Sequence, residues 1–248
     1  MTALGVGGAT VVGSLLGFVF KKISHKFSDI VLSFAAGVML CAAIIGLILP
    51  SIEYGGGKDG LWMTIIGIFC GALSLNILDK LTPHLHSMAG VEHEAHPENT
   101  KRLNKVLLFV MAIGIHNLPE GIAAGVGFGS GDTSQALLIA GGIALQNIPE
   151  GMVIIAPMIA SGVSKKKTFI IALFTGLIEV LGTFLGYFAV KIAKVILPFA
   201  LAFAGGTMIY VVSVEMIPET HHSGNERMST YALIFGFITM LIMDFYIG

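Results

Sequence analysis

The sequence predicts an all-α polytopic membrane protein, and three observations support this fold class. Apolar residues make up 55% of the 248 residues, charged residues make up 12%, and the mean hydropathy is +0.88. A water-soluble domain usually has about a quarter of its residues charged. The apolar residues gather into long stretches without the strict alternation of barrel strands, which predicts membrane-spanning helices.

Eight such stretches follow one another, and each is near or above the roughly 18–20 residues that span a hydrocarbon core. The predicted helices cover residues 3–20, 28–50, 60–79, 104–127, 134–160, 168–193, 197–218 and 229–247. With the polar stretch 80–103 between the third and fourth helices, they are expected to form a single transmembrane domain over residues 1–248.

The basic residues predict how these helices are oriented. Eleven of the 14 Lys and Arg fall in loops on one side of the predicted membrane, and Lys58, Lys191 and Lys194 fall on the other. Because positive residues favour the cytoplasm, both termini are expected outside and residues 80–103 inside. The expected location is a plasma or inner membrane.

Two similar strings predict an internal repeat of opposite direction. FAAGVM (34–39) precedes ILP (48–50) in the second helix, and FAGGTM (203–208) precedes MIP (216–218) in the seventh. Similar sequence on oppositely directed helices indicates an inverted repeat, a construction common in transporters. Chance convergence of small apolar residues is the alternative.

The fourth and fifth helices carry a second repeated pattern, HNLPEG (116–121) and QNIPEG (146–151), joined through GFGSGD (127–132). Antiparallel neighbours with the same polar group of residues at matching depth should place those residues face to face. The architecture that follows is three helices, two central helices and three more.

The spacing inside each pattern suits a ligand site, because residues four apart share one helix face. His116 therefore points with Glu120, and Gln146 points with Glu150. Asn117 and Asn147 lie about 100° further around. Pro119 and Pro149 lack an N–H and should bend each helix, which frees the carbonyl four residues earlier.

Three carboxylates near mid-helix, Glu120, Glu150 and Glu179, indicate a cation. Each costs roughly 2.5–3.5 kcal/mol at the bilayer centre on insertion scales, and no Lys or Arg lies near the middle of a predicted span. They could stay protonated or share a cation, and the neighbouring imidazole and amides favour the cation. This ligand set, which lacks thiolate, suits Zn²⁺, Cd²⁺, Fe²⁺ or Mn²⁺ better than copper(I), and a binuclear site is possible.

At these residues the chain resembles the ZIP (Zrt-, Irt-like protein) metal transporters, in particular their prokaryotic GufA-type branch. The resemblance covers nearly the whole chain and implies a homodimer that imports divalent metal by moving one helix bundle against another. It implies one metal on His116, Glu120, Gln146 and Glu150. It implies a second on Asn117, Asn147 and Glu179, with glutamates bridging the two.

The resemblance also places Met39 along the pathway and Glu53 at its outer mouth. Two positions depart from the family pattern. Many members have His where Gln146 stands, and an acidic residue is common at the position of Asn147. These weaker neutral ligands bear on the occupancy of the second site and on metal preference.

Two other polar groups have both a functional and a plainer interpretation. Four histidines between the third and fourth helices are expected either to capture metal or to be incidental residues of a linker. They are His84, His86, His93 and His96. The end of the seventh helix is expected to form an exit path or to be merely solvated, and its residues are Glu215, Glu219, His221 and His222.

The leading functional hypothesis is a secondary transporter of divalent transition metals, with zinc foremost, rather than an enzyme. An intramembrane metalloenzyme is one alternative, but HExxH is absent from the sequence. A proton-coupled carrier of an organic solute is the other. The expected partners are the metal ions, the bilayer and a second copy of the chain, with no nucleic acid.

Overall fold

The computed structural model describes residues 2–19, 24–88, 114, 117–160, 162–192, 194–221 and 224–247. These residues are almost entirely helical, with no strand among them. Six helices of this described part are long and apolar enough to cross a membrane, and a shorter apolar helix covers Ala3–Val19. The predicted all-α polytopic class is confirmed.

The helices follow the predicted spans closely. They are α1 (Thr2–Val19), α2 (His25–Cys41, Ala42–Ile48 and Leu49–Tyr54), α3 (Lys58–Met88), α4 (117–130), α5 (Thr133–Ala160), α6 (Lys165–Ile192), α7 (Leu197–Val211, Val212–Met216 and Ile217–His221) and α8 (Glu226–Ile247). A short 3₁₀ turn, Lys194–Ile196, leads into α7. The stretch predicted as a loop from residue 80 is still helical to Met88.

Local sequence explains where several helices begin and end. The Oγ atom of Ser24 accepts the N–H of Phe27 at 3.2 Å and caps α2. Gly131 ends α4 with a φ of 93°, a backbone conformation that suits glycine. A carboxylate oxygen of Asp132 then accepts the N–H of Gln135 at 3.1 Å and caps α5.

Two helices contain a π-helical segment, and in each a proline follows shortly after. Ala42–Ile48 precedes Pro50 in α2, and Val212–Met216 precedes Pro218 in α7. Proline has no N–H to donate to the carbonyl four residues earlier, and π-bulges are common at functional sites. By contrast, α5 is α-helical through Pro149, so no π-helical segment accompanies this proline.

The helices divide into two bundles. In the first bundle, α1 packs against α5 and α6, and α4 packs against α6. In the second bundle, α2 packs against α8, and α3 packs against α7. The exchange of α1 with α6, α2 with α7, α3 with α8 and α4 with α5 leaves this pairing unchanged, as the predicted inverted repeat requires. The repeat itself stays a prediction.

Within each bundle, glycines let the backbones of neighbouring helices touch. A Cβ atom at Gly13 would overlap the carbonyl oxygen of Ile148, and one at Gly121 would overlap that of Glu179. Between the bundles the neighbours are flexible side chains instead, since a Cβ at Gly142 would lie 2.8 Å from the Sδ atom of Met240. Small residues at helix contacts permit this close backbone packing.

Candidate metal centre

The candidate site lies in the first bundle, where α4, α5 and α6 meet. Its described polar residues are almost completely shielded from solvent; they are Asn117, Glu120, Gln146, Asn147, Glu150 and Glu179. Glu150 is the most accessible of them, with 7% of its surface exposed. His116 lies outside the described residues, so its place beside Glu120 stays a prediction.

Hydrogen bonds join the two halves of the repeated pattern. The Nε2 atom of Gln146 on α5 donates to the Oε1 atom of Glu120 on α4 at 2.7 Å. The Nδ2 atom of Asn147 donates to the Oε1 atom of Glu179. The carboxyl group of Glu150 is close enough to those of Glu120 and Glu179 for their charges to interact. The predicted face-to-face placement of the two patterns is thus seen for these residues.

Each asparagine also donates to a backbone carbonyl, which fixes the orientation of its amide. Asn117 donates to the carbonyl oxygen of Thr175 at 3.3 Å, and Asn147 donates to that of Val6 at 3.4 Å. Because the nitrogen faces a carbonyl in each case, the amide oxygen faces the other way. The oxygens are therefore the groups left for a ligand.

Four buried oxygen atoms of the site have no hydrogen-bond partner among the residues that the structure describes. They are Asn117 Oδ1, Glu120 Oε2, Gln146 Oε1 and Asn147 Oδ1. The one other unpartnered buried side-chain atom in the described part of the chain is Ser33 Oγ. An unpartnered buried acceptor costs about 1–3 kcal/mol. Four acceptors, with no unpartnered buried donor beside them in the described residues, form an environment that a cation would satisfy.

The described residues do not complete a metal site with charged ligands alone. No three of their His, Cys, Asp or Glu side chains lie close enough together to hold one ion. An ion here would therefore also need the amide oxygens or the imidazole of His116. Such mixed ligands differ from the closed set of four strong ligands typical of structural zinc.

Thr10 on α1 is a residue of this site that the sequence reasoning missed. Its side chain is buried, and its Oγ1 atom donates to the Oε2 atom of Glu179 at 3.3 Å. Gly151 packs on the carbonyl of Thr10, just as Gly121 packs on the carbonyl of Glu179. Thr10 and Glu179 therefore lie at corresponding places in the two halves of the predicted repeat.

The predicted pathway residues lie along the second bundle, one midway along α2 and the others at or near the ends of α2 and α7. Met39 lies midway along α2, and its side chain is fully buried in the hydrophobic core. Glu53 lines a cavity of 630 Å³ at the end of α2. Asp132 and Asp244 line the same cavity. Glu215 lies in the π-helical segment of α7, and Glu219 is exposed at its end.

His221 has a structural contact at the end of α7. Its Nδ1 atom lies 2.8 Å from the carbonyl oxygen of Ile217, and its Nε2 atom lies 3.2 Å from the Oγ1 atom of Thr230 on α8. A metal ligand here would have to give up one of these contacts. His222, His93 and His96 lie outside the described residues, and His84 and His86 lie on the last turns of α3.

The fold and this site together define a polytopic helical membrane protein with acidic and amide side chains gathered in its core. The family described as ZIP zinc transporter matches residues 89–244. The zinc transporter GufA of Myxococcus xanthus is 38% identical over 100% of this chain and 98% of its own length. The zinc transporter ZIPB of Bordetella bronchiseptica is 38% identical over 97% of this chain and 78% of its own length. The human zinc transporter ZIP11 is 30% identical, with 97% and 94% covered. The chain belongs to the ZIP family.

Proposed function

We propose that this protein carries divalent transition-metal ions, zinc foremost, across a membrane through the site between α4, α5 and α6. One observation supports this more than any other. Four buried acceptor oxygens, on Asn117, Glu120, Gln146 and Asn147, have no hydrogen-bond partner within the described part of the chain. A divalent cation would satisfy them and would balance the neighbouring carboxylates. The relatives named as zinc transporters support zinc as the cargo.

The pairing of the residues supports two adjacent ions rather than one. Glu120 and Glu150 occupy equivalent places in the two patterns and lie within electrostatic reach of each other. Asn147 and Thr10 both bond to the carboxylate of Glu179. In this proposal, Glu120 and Glu150 bridge the ions, and the ion on the Glu179 side has the weaker, more neutral ligands. His116 would supply the imidazole on the other side.

The difference between packing inside and between the bundles supports alternating access. Backbone contacts at glycines, as between Gly13 and Ile148, hold each bundle together as a stiff unit. Flexible side chains such as Met240 separate the bundles, and Met can adapt its packing to a moved neighbour. We propose that the first bundle, which carries the site, moves against the second, with the two related halves forming an inverted repeat.

Transport into the cytoplasm, a cell-membrane location with both termini outside and a homodimeric assembly remain parts of the proposal. The uneven distribution of Lys and Arg supports the orientation. Metal capture by the histidines near residues 84–96 also remains a proposal, as does an exit past Glu215 and Glu219. Family membership favours transport over the intramembrane metalloenzyme and the organic-solute carrier.

Uptake of metal into proteoliposomes tests this function. Proteoliposomes that contain the purified protein should take up Zn²⁺. Uptake of Cd²⁺, Fe²⁺ and Mn²⁺ would be compared under the same gradient. We expect Glu150→Ala to lose nearly all flux and Glu179→Ala to reduce it, because both remove a negative charge from the ions. Glu226→Ala, which changes an exposed carboxylate at the start of α8, should transport normally. Stoichiometric metal binding without flux of any metal would contradict a carrier.

Thr10 offers a finer test of the site. We expect Thr10→Val to weaken zinc binding about tenfold, because the substitution removes the donor that orients Glu179 while preserving shape. Thr10→Ser keeps the hydroxyl and should restore the affinity. The measurement is a zinc titration beside metal-free thermal unfolding. Equal affinities for Thr10→Val and the native protein would show that Thr10 has no positioning role.

A further inference from the structure

Gln135, on the first turn of α5, links the two bundles far from the metal ligands. Its Nε2 atom donates to the carbonyl oxygen of Gly46 on α2 at 3.3 Å, and its Oε1 atom accepts from the hydroxyl of Tyr54 at 3.4 Å. Eleven positions separate Gln135 from Gln146, which is roughly 16 Å along a helix. Gln135 therefore touches neither the proposed ions nor their ligands.

The acceptor in α2 is an unusual one. Gly46 lies within the π-helical segment Ala42–Ile48. Four residues later Pro50 has no N–H to donate to the Gly46 carbonyl. The departure from regular α-helical bonding thus presents a backbone acceptor to the neighbouring bundle at the point where Gln135 arrives.

The contact between Gln135 and α2 lies at the wall of a cavity between the two bundles. The cavity of 630 Å³ is lined by Gly46, Pro50 and Tyr54 from α2 and by Gln135 and Leu138 from α5. One wall therefore belongs to each bundle, and Gln135 reaches across. A relative movement of the bundles would change the width of this cavity and the length of both hydrogen bonds.

Several buried polar contacts of the described residues, by contrast, stay within a single bundle. Ser51 bonds to Thr64 and to the carbonyl of Pro198, all within the second bundle. Asn117 and Asn147 bond within the first bundle. Hydrogen bonds within a bundle are indifferent to its movement as a unit, whereas those of Gln135 are not.

We propose that Gln135 is a gating residue, whose amide holds the two bundles together beside this cavity and must release Gly46 and Tyr54 before the pathway opens there. The inference rests on the proposed function, because it assigns the contact a role in bundle movement. It adds a residue to the transport reaction that binds no metal. Its loss is expected to shift the equilibrium toward the open arrangement without changing the site.

A buried reporter cysteine can measure that shift. Ala42 is fully buried on α2 and faces Gly142 of α5 across the boundary. Ala42→Cys would be made in a background with Cys41→Ala and Cys70→Ser and placed in lipid nanodiscs, where a water-soluble maleimide reaches both faces. Labelling requires the bundles to separate, so its rate follows the population of the open arrangement.

We expect Gln135→Leu to raise the labelling rate of this reporter about three- to tenfold, the range that the loss of about one net hydrogen bond predicts. Gln135→Glu should act in the same direction, because a carboxylate has no N–H for the Gly46 carbonyl. Tyr54→Phe should have a smaller effect and add little to Gln135→Leu, since both act through one amide. Ser134→Ala, at the neighbouring exposed position, should leave the rate unchanged.

A second reporter separates gating from general loosening. Ser14 is buried within the first bundle, and Ser14→Cys should stay unreactive in the Gln135→Leu background. Equal labelling of Ala42→Cys with and without Gln135 would overturn the proposal, as would a parallel rise at Ser14→Cys. The labelling needs no metal. A protein without zinc flux but with the Gln135 effect would therefore contradict the transport proposal while preserving the gate.

Discussion

Replacement of Glu120 by glutamine is expected to abolish zinc transport while leaving the helices in place. Glu120 has no exposed surface, and its Oε1 atom accepts from Gln146 at 2.7 Å. Its Oε2 atom has no hydrogen-bond partner among the described side chains and backbone groups. Glutamine keeps the shape of this side chain but removes its charge. It also turns an acceptor into an N–H donor at one of the two oxygen positions.

The expected loss of zinc affinity exceeds that for a residue that only orients the ligands, such as Thr10. Substitution of residues that merely orient metal ligands typically reduces affinity 10- to 100-fold. Loss of a carboxylate proposed to bridge two ions should therefore reduce zinc affinity by at least about 100-fold. Zinc titration and proteoliposome flux would be measured together, with thermal unfolding in metal-free buffer as a check of folding.

Glu226→Gln is the matched control, because Glu226 is an exposed glutamate at the first position of α8. This variant should bind and transport zinc like the native protein. Native zinc affinity and flux in Glu120→Gln would remove Glu120 from the site. The four unpartnered oxygens would then need another explanation, such as bound water.

The bilayer explains why so much of the fold could be predicted. A helix must satisfy its own backbone in hydrocarbon, so the apolar stretches had to be helical, and seven of the eight predicted spans match described helices closely. Their ends were less predictable, since hydropathy marks the edge of the membrane rather than the end of a helix. That is why α3 continues to Met88 and α2 continues to Tyr54, beyond the apolar stretch of each.

The site was predictable where its residues are costly in a membrane. Glu120, Glu150 and Glu179 each required an explanation, and the repeated pattern supplied neighbours for them. Thr10 gave no comparable signal, because a threonine in an apolar helix can bond to its own backbone. Its role depends on the packing of α1 between α5 and α6, which no local pattern in the sequence encodes.

Gln135 was missed for a related reason. It follows a capping aspartate, Asp132, at the start of a helix, where polar residues are ordinary. Its partner is a backbone carbonyl 89 positions away in the chain. The prolines of ILP and MIP indicated that α2 and α7 are similar, since the sequence paired Pro50 with Pro218. The π-helical segments that precede these prolines were not predictable, because they depend on the packing of whole helices.

Glycine contacts between helices help to position the site, and α1 allows a matched comparison of two glycines. We expect Gly13→Ala to destabilise the protein, whereas Gly8→Ala on the same helix should be tolerated. A Cβ atom at Gly13 would overlap the carbonyl oxygen of Ile148, and one at Gly8 would meet nothing within 4 Å. Because the obstacle at Gly13 is backbone, α1 itself must move away from α5.

The cost of such overpacking is about 1–3 kcal/mol, which corresponds to a fall in melting temperature of several °C for a chain of this size. Thermal unfolding of both variants in the same detergent measures it. Similar melting temperatures for Gly13→Ala and Gly8→Ala would contradict the close contact between α1 and α5.

The same displacement should also reach the metal. Gly13 lies one turn from Thr10, which bonds to Glu179, and two turns from Val6, whose carbonyl accepts from Asn147. A shift of α1 would disturb both hydrogen bonds, so zinc affinity should fall in Gly13→Ala and stay unchanged in Gly8→Ala. A destabilised Gly13→Ala protein with native zinc affinity would mean that α1 supports the bundle but does not orient the ligands. The positioning role given to Thr10 would then be wrong as well.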